Sequence, residues 1–214
     1  MEKDLNRNFI TFEGAEGSGK STQIALCRQY LLERGKDVVL IREPGGVKIS
    51  EAVRKILLDV NNTEMNNECE TLLYMAARAQ LVEEKILPAL REGKVVLCDR
   101  FLDSTFVYQG FGHGLKLETI QMIGNFATKG LVPGLTLLLD IEVEEGLRRA
   151  GSHKDTDRIE QRSISYHQKV RQGYLTLAKS DPERIKVIKV DRCGKEEIFK
   201  EVKKHLNQRL GLHD

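Results

Sequence analysis

The chain has 214 residues, of which 40% are hydrophobic and 31% are charged, and its formal net charge is +2. This length and composition predict one α/β domain with a sizeable core, and the near-neutral charge gives no reason to expect a nucleic-acid polymer or a membrane surface as a partner. The four cysteines lack metal-ligand spacing, and no apolar run resembles a signal segment or a membrane span, so we expect core thiols at Cys27 and Cys98 and a cytoplasmic protein.

Short apolar runs alternate with longer helical patterns along the chain. Gly35, Gly93 and the pair Pro133-Gly134 are turn signals that precede such runs. This alternation predicts βαβ units with right-handed crossovers, and hence a parallel sheet flanked by helices in a single domain over residues 1–214. The expected strands are residues 9–12, 38–41, 95–98, 135–139 and 185–190. Ligands of such sheets bind beyond the carboxyl ends of the strands.

A glycine-rich segment, called here the phosphate loop (residues 14–21), follows the first strand and precedes a helical pattern over residues 22–32. It matches G-x-x-x-x-G-K-[ST] in full. Backbone N–H groups and the helix dipole make such a loop an anion site. Lys20 would reach the outer phosphates of a nucleoside triphosphate and Ser21 would ligate magnesium. The expected nucleotide-binding set is Gly14, Ala15, Glu16, Gly17, Ser18, Gly19, Lys20, Ser21 and Thr22.

Two further polar positions lie near this loop in the predicted fold. Glu16 is inside the loop, where a carboxylate beside polyphosphate needs a partner such as a cation, an arginine or a hydroxyl of a second substrate. The alternative is an exposed loop residue. Arg42 follows the second strand within Arg42-Glu43-Pro44-Gly45-Gly46 and is a candidate for a phosphate of the acceptor. Alone, that segment would be an ordinary turn.

Residues 66–91 form a long helical pattern. One side of the projected helix is apolar, and we expect Pro88 to kink or break the last turns because it lacks an N–H. Tyr74 and Arg78 are neighbours at i,i+4 on the opposite side, which Leu81 shares, so both sides should be covered. A pocket and a surface tyrosine stacked under an arginine are equally compatible with this spacing. The apolar side consists of Cys69, Leu72, Leu73, Ala76, Ala79, Ile86, Leu87 and Leu90.

The third strand ends in Asp99, followed at once by Arg100. An acid at this place in phosphate-loop proteins holds magnesium, and a guanidinium is suited to phosphate. Asp140, at the end of the fourth strand, is a rival for the magnesium role. A buried structural Asp–Arg pair is the alternative reading of Asp99 and Arg100.

Hydroxyls, an aromatic ring and an amide follow in Ser104-Thr105-Phe106-Val107-Tyr108-Gln109-Gly110, and they could contact a base or a sugar. Farther on, residues 148–162 are polar and rich in Lys and Arg. Such a run is usually a solvated face, but in a kinase a basic flap can close over the polyphosphate and exclude water. Arg158 is the first candidate for a catalytic cation there, and Arg149 is the second.

Together these motifs resemble those of bacterial thymidylate kinases, members of the P-loop nucleoside monophosphate kinase family. The resemblance implies a three-layer P-loop kinase fold with a five-stranded parallel sheet and a short basic lid at about residues 150–160. It also implies transfer of the γ-phosphate of ATP to dTMP with Mg²⁺, and a homodimer. The matching stretches, in order, are residues 12–22, 42–46, 73–78, 99–104, 108–110 and 157–160.

The resemblance further implies roles for single residues in the thymine site. Tyr74 would stack on thymine, a position that is phenylalanine in many members, and Arg78 would bond a thymine carbonyl. Ser104 or Thr105 would read the N3 edge. The full expected dTMP-binding set is Glu16, Arg42, Tyr74, Arg78, Arg100, Ser104, Thr105, Tyr108 and Gln109.

In the sugar and phosphate region, the resemblance implies that Tyr108 crowds the 2′ position, that Glu16 meets the 3′-hydroxyl, and that Arg42 and Arg100 grip the dTMP phosphate. Some family members have an arginine in the phosphate loop where this chain has Gly17, so the lid must supply the catalytic cation here. The expected metal ligands are Ser21 and Asp99, and the expected catalytic set is Lys20, Asp99, Arg100, Arg149 and Arg158.

Two other functions stay open at this point. One is a P-loop kinase for another nucleotide or for a deoxynucleoside. The other is a nucleotide-switch GTPase, which would need a guanine-reading Asn-Lys-x-Asp motif that the sequence lacks.

Overall fold

A computed structural model describes residues 2–151, 158–159 and 161–213. Its centre is a five-stranded parallel sheet with the strand order β2-β3-β1-β4-β5. The expected parallel sheet and the α/β fold class are therefore confirmed. The strands are β1 (Phe9–Glu13), β2 (Val38–Arg42), β3 (Val95–Asp99), β4 (Leu135–Asp140) and β5 (Ile185–Lys189).

Helices connect the strands and cover both faces of the sheet. The main ones are α1 (Lys20–Glu33), α2 (Lys48–Leu58), α3 (Asn67–Leu81), α4 (Leu87–Arg91), α5 (Leu102–Thr105), α6 (Leu117–Thr128), α7 (Val143–Gly151), α8 (Ile164–Ser180) and α9 (Lys195–Leu210). None of these helices within the described ranges combines the length and apolar composition that a membrane span requires.

The core has apolar layers on the two sides of the sheet. Because parallel strands are buried on both faces, their side chains are apolar in both directions. On one side Ile10 and Phe12 pack with residues of α1 and α9, and on the other side Phe9 and Cys98 pack with residues of α3, α4 and α6. Cys27 and Cys98 are both buried, as expected. This three-layer arrangement leaves the carboxyl ends of the central strands open.

The expected helix at residues 66–91 forms, but its predicted faces are only partly right. Just before Pro88, over Val82–Ile86, the hydrogen bonding changes from α-helical to π-helical. The helix therefore continues to Arg91 with a changed hydrogen-bond pattern and does not break. The wide turn takes in about one extra residue, which rotates the following side chains by roughly 100°. One straight projection therefore placed Leu72 and Ile86 together wrongly: Ile86 is buried, whereas Leu72 is 57% exposed.

The side of α3 that faces the protein is more polar than the sequence indicated. It carries Glu70, Thr71, Met75, Ala77, Arg78 and Leu81, while Cys69 and Ala76 are exposed. The side shared by Arg78 and Leu81 is covered, as expected, whereas the predicted burial of the opposite stripe on α3 is wrong for Cys69, Leu72 and Ala76. Buried polar groups need hydrogen-bonding partners, so this face of α3 points to an organised polar site.

Candidate active site

The carboxyl ends of β1, β2 and β3 border a cleft of about 350 Å³. That volume is within the roughly 300–1,000 Å³ typical of small-molecule sites. The register pairs Asp99 with both Phe12 and Arg42, so the three strand ends are level. The expected residues that line the cleft together are Glu16, Gly17, Lys20, Ser21, Arg42, Tyr74, Arg78, Asp99, Arg100, Ser104, Thr105, Tyr108 and Gln109.

The phosphate loop joins β1 to α1 as expected, and α1 begins at Lys20. The Lys20 ammonium donates to the carbonyl oxygens of Gly14 and Ala15, at 3.1 and 2.9 Å. Burial lowers the pKa of Lys20 to about 8, and the charge of Arg100 adds to this effect. The Ser18 hydroxyl lies 3.4 Å from the same ammonium, Gly19 precedes α1 with a φ of 89°, and Thr22 is in the first turn of α1.

Glu16 is the centre of a hydrogen-bonded cluster. Its Oε1 accepts from Arg100 Nη2 and from the Tyr108 hydroxyl, each at 2.8 Å, and Tyr108 also lies 3.1 Å from Oε2. Burial raises the pKa of Glu16, but the charges of Arg100 and Lys20 and the Tyr108 hydrogen bond outweigh it and lower the pKa overall. Glu16 is therefore an ionised, half-buried carboxylate in the cleft, and not an exposed loop residue.

Arg100 adopts a backbone conformation that non-glycine residues seldom take. Its φ is 68°, and its N–H donates to the Phe12 carbonyl at 3.0 Å. Strained residues of this kind concentrate at functional sites. The guanidinium donates from Nη1 to Tyr174 at 3.2 Å and lies 3.4 Å from the Ser104 hydroxyl. These contacts hold its fork beside Glu16 in the cleft.

Glu13, which the sequence analysis did not single out, supports this arrangement from below. It is fully buried at the end of β1 and accepts hydrogen bonds from the Phe101 N–H at 2.8 Å, Ser104 Oγ at 2.6 Å and Tyr174 at 2.8 Å. Burial and the nearby charge of Asp103 raise its pKa to about 7. Its position directly before the phosphate loop was the signal available in the sequence.

Arg78 lies at the opposite wall of the cleft and is 2% exposed. It donates from Nε to Glu43 at 2.7 Å, from Nη1 to Thr105 at 3.0 Å and from Nη2 to the Phe101 carbonyl at 3.1 Å. Tyr74, one turn earlier on α3, also lines the cleft. The pair therefore forms part of a pocket, and the alternative of a surface tyrosine under an arginine is excluded.

Arg42 and Arg54 add positive charge at the β2 side of the cleft. Arg42 is half exposed and pairs with Glu51 at 2.7 Å, while Arg54 donates to the Pro44 carbonyl at 2.9 Å. Arg54 was missed by sequence reasoning, although its place on the helix after Pro44-Gly45-Gly46 was visible. Leu58 was missed as well, whereas Glu43 and Pro44 belong to the predicted segment 42–46 and Ile159 to the matching stretch 157–160.

The two candidates for the magnesium acid have different surroundings. Asp140 is 5% exposed and accepts two hydrogen bonds from Arg171, at 2.7 and 3.2 Å. Asp99 lines the cleft together with Ser21. A carboxylate and a hydroxyl are the hard oxygen donors that Mg²⁺ prefers, so the residues at Asp99 fit this ion.

Arg149 lies beside the phosphate loop. At Gly17, where φ is 69°, an added Cβ would come within 2.1 Å of the Gly146 carbonyl oxygen and 3.1 Å of Arg149 Cβ. The loop and α7 thus touch through two glycines, and an arginine at position 17 would not fit this packing. Arg149 itself pairs with Glu145 at 2.7 Å.

Arg158 does not line the cleft in the described structure. It is 9% exposed and donates from Nη2 to Glu70 at 2.6 Å and from Nε to the Leu57 carbonyl at 3.1 Å. Burial raises the pKa of Glu70, but hydrogen bonds from His113, Gln109 and Arg158 lower it to about 2 overall. Of the lid expected at residues 150–160, positions 152–157 and 160 lie outside the described residues.

A phosphate loop at the carboxyl edge of a parallel sheet, with several arginines around one cleft, defines a P-loop kinase. The thymidylate kinase family model matches residues 12–202. The chain belongs to the thymidylate kinase family.

Similar proteins agree with this family. The chain is 48% identical over 196 residues to thymidylate kinase from Thermoanaerobacter sp. (strain X514), covering 92% of this chain and 94% of the relative. It is 52% identical over 186 residues to thymidylate kinase from Geotalea uraniireducens, covering 84% and 87%. The crystal structure of thymidylate kinase from Ehrlichia chaffeensis matches with a TM-score of 0.77 and 33% identity, covering 93% of this chain and 97% of that one.

Proposed function

We propose that the chain transfers the γ-phosphate of ATP to dTMP and forms dTDP and ADP. The observation that carries this proposal is the single cleft in which the phosphate-loop lysine, Lys20, shares walls with Tyr74, Arg78 and Arg100. A donor site and an aromatic–arginine acceptor site thus meet at the edge of the sheet, as transfer between two nucleotides requires.

On the donor side, the backbone of the phosphate loop and the start of α1 bind the phosphates of ATP. The Lys20 ammonium exchanges its present carbonyl partners for phosphate oxygens. Ser21 and Asp99 would hold Mg²⁺, directly or through water. When bound, this ion neutralises charge on the polyphosphate.

On the acceptor side, Tyr74 stacks on thymine while Arg78 and Thr105 meet its polar edge. Ser104 and Gln109 complete the polar wall around the base. These side chains already hydrogen-bond one another or their neighbours, so the wall is built before the base arrives. A site organised in this way loses little ordering entropy on binding.

The sugar and phosphate of dTMP fit the opposite part of the cleft. Tyr108 limits the space at the 2′ position, and the ionised Glu16 accepts from the 3′-hydroxyl. Arg42 and Arg100 bind the acceptor phosphate, and we add Arg54 because it lines the same wall. Guanidinium groups bind phosphate with paired, charge-assisted hydrogen bonds.

In this reaction the protein itself needs to do little covalent chemistry. Holding the two substrates in line and balancing charge on the transferred group supply most of the acceleration. The phosphate of dTMP is largely ionised at neutral pH, so no strong general base is needed. We infer that Arg149, which lies beside Gly17, is the better placed lid cation, and that Arg158 would act only after leaving Glu70.

A coupled assay with ATP and a panel of acceptors tests the activity. We expect dTMP to be the preferred acceptor over dUMP, dCMP and thymidine. Faster phosphorylation of thymidine would instead support a deoxynucleoside kinase, and tight GTP binding without any acceptor turnover would support a switch GTPase.

We also propose that the protein is a cytoplasmic homodimer. Helices α2, α3 and α6 pack side by side, and each exposes large apolar side chains. Phe126 is 88% exposed and Met122 is 66% exposed on α6, and Leu72 is 57% exposed on α3. Apolar surface of this kind marks interfaces between proteins. A molar mass measured in solution by light scattering tests the dimer.

A further inference from the structure

His167 has no assigned role in the proposed mechanism, yet its surroundings are unusual. It lies on α8, is 1% exposed, and neither of its ring nitrogens has a hydrogen-bond partner among the residues that the structure describes. Buried polar side-chain atoms in proteins almost always have partners. An imidazole carries at least one N–H donor, and leaving it unpaired in the interior is costly. The structure therefore points to a state in which His167 gains a partner.

Glu16 is the group that faces this imidazole. Nδ1 of His167 lies 3.8 Å from Oε2 of Glu16. In the described part of the chain the two carboxylate oxygens have unequal side-chain partners: Oε1 accepts from Arg100 and Tyr108 at 2.8 Å, while Oε2 has the longer contact of 3.1 Å from Tyr108. The histidine thus faces the oxygen that has spare capacity to accept a hydrogen bond.

Neighbouring side chains of α8 fix the position of His167. The side chain of Ser163 caps the helix, and the Tyr166 hydroxyl donates to the Tyr108 carbonyl at 3.2 Å. Two turns later Tyr174 is held between Glu13 and Arg100. Glu16, in contrast, is part of a loop that must bind substrate. A movement of Glu16 by roughly 1 Å would bring Oε2 within normal hydrogen-bond distance of Nδ1.

We propose that His167 is a positioning residue that donates from Nδ1 to Oε2 of Glu16 when the acceptor binds, and so fixes this carboxylate against the 3′-hydroxyl of the deoxyribose. The proposal rests on the proposed function, since it assigns Glu16 to the acceptor sugar. His167 does not touch the substrate. It holds the carboxylate from the protein side, opposite the sugar.

Two substitutions of His167 distinguish the loss of its hydrogen bond to Glu16 from the loss of its packing volume. His167→Phe keeps a ring but removes the donor, whereas His167→Asn retains an N–H group near the position of Nδ1. Gln168→Leu, at the next and exposed position of α8, is the matched control. Each variant is assayed with dTMP and with the analogue that lacks the 3′-hydroxyl, and melting temperatures report on folding.

We expect His167→Phe to raise the KM for dTMP about tenfold with little change in kcat, the size expected when one hydrogen bond to a charged group is lost. The KM for the 3′-deoxy analogue should change less than about twofold, and His167→Asn should restore most of the affinity for dTMP. An equal rise for both acceptors, or an unchanged KM for dTMP in a folded His167→Phe protein, overturns the proposal.

A spectroscopic measurement gives an answer that does not depend on turnover. In protein with ¹⁵N-labelled histidine, dTMP should move the Nδ1 signal of His167 and slow the exchange of its proton. The same addition to the Glu16→Gln variant should leave the signal near its position in the free protein. If the protein phosphorylates dTMP but the Nδ1 signal of His167 does not change when dTMP is added, the proposed role of His167 is overturned and the proposed function is not. Absence of both dTMP turnover and dTMP binding overturns the proposed function as well.

Discussion

The guanidinium of Arg158 donates to the carboxylate of Glu70 over 2.6 Å, in a position where Glu70 is 1% exposed and Arg158 is 9% exposed. The same carboxylate accepts from Gln109 at 2.8 Å and from His113 at 3.1 Å. One buried group on α3 therefore joins Arg158, within the expected lid, to a wall of the acceptor cleft. Arg158 must leave this partner to act on phosphate.

Arg158→Ala should consequently reduce stability as well as turnover. Removing one member of a buried ion pair leaves an uncompensated charge and costs about 3 kcal/mol or more. We expect a lower melting temperature for Arg158→Ala, and a larger fall in kcat than rise in KM if the arginine also reaches the transferred phosphoryl group. Glu70→Gln is the informative comparison: a melting temperature and a kcat that both fall as in Arg158→Ala would limit Arg158 to an anchoring role.

Arg149→Ala should act on catalysis with little effect on folding. Its partner Glu145 is near the surface, so losing the ion pair costs little stability. Its proximity to Gly17 places it where a cation would balance charge on the phosphoryl group. We expect kcat to fall by roughly 10³-fold at saturating ATP and dTMP. Arg148→Ala, one residue earlier and more exposed, is the matched control, and equal losses in both variants would exclude a specific role for Arg149.

Arg78→Ala should weaken dTMP binding with little effect on ATP. The guanidinium lies on the acceptor wall, and its partners Glu43 and Thr105 belong to that wall too. We expect the KM for dTMP to rise at least tenfold while the KM for ATP changes less than about threefold. Because Glu43 would lose its partner, binding is compared at a temperature where the variant is folded. Equal losses for both substrates would mean that Arg78 is structural.

Much of the donor half of the site was predictable because it depends on local pattern. The spacing from Gly14 to Ser21 determines the phosphate loop, and a strand that ends in Asp99 brings this acid to the same sheet edge. The strand ends are level because parallel pairing sets their register. These features need only the chain order and the geometry of a parallel sheet.

The acceptor half depended on contacts between distant parts of the chain. The roles of Glu13 and Glu70 come from partners on other elements, Tyr174 and Arg158, which no local pattern in the sequence identifies. Leu72 and Ile86 were assigned to one side because the π-helical turn that ends α3 shifts the phase of the projection, which no periodicity over an ideal helix includes.

The exposed apolar surface predicts a change in assembly. Phe126→Asp should convert the proposed homodimer to a monomer, because a charge would be buried where α6 meets its partner copy. The molar mass from light scattering measures this directly. Gln29→Asp, on α1 at the opposite face of the sheet, should leave the mass unchanged. If the molar mass of Phe126→Asp is the same as that of the unsubstituted protein, the dimer interface does not include this part of α6.

Glu13 predicts a particular pH dependence of stability. Its pKa is raised from 4.5 to about 7 in the folded protein, first by burial and then by Asp103. Between these pH values the folded state holds a proton that the unfolded state has lost, so this residue's contribution is fully present below pH 4.5 and is lost as pH rises through 7. The loss is about 3 kcal/mol.

Glu13→Gln removes this titration. We therefore expect the free energy of unfolding of Glu13→Gln, relative to the unsubstituted protein, to rise by about 2–3 kcal/mol between pH 5 and pH 7.5. Urea unfolding at the two pH values measures the difference. Glu70, whose pKa is lowered to about 2 because hydrogen bonds outweigh burial, has the opposite sign: its contribution to stability is present above pH 4.5 and is lost as pH falls through 2, so it stays constant between pH 5 and pH 7.5. A constant difference between pH 5 and pH 7.5 would mean that Glu13 keeps one protonation state across this range.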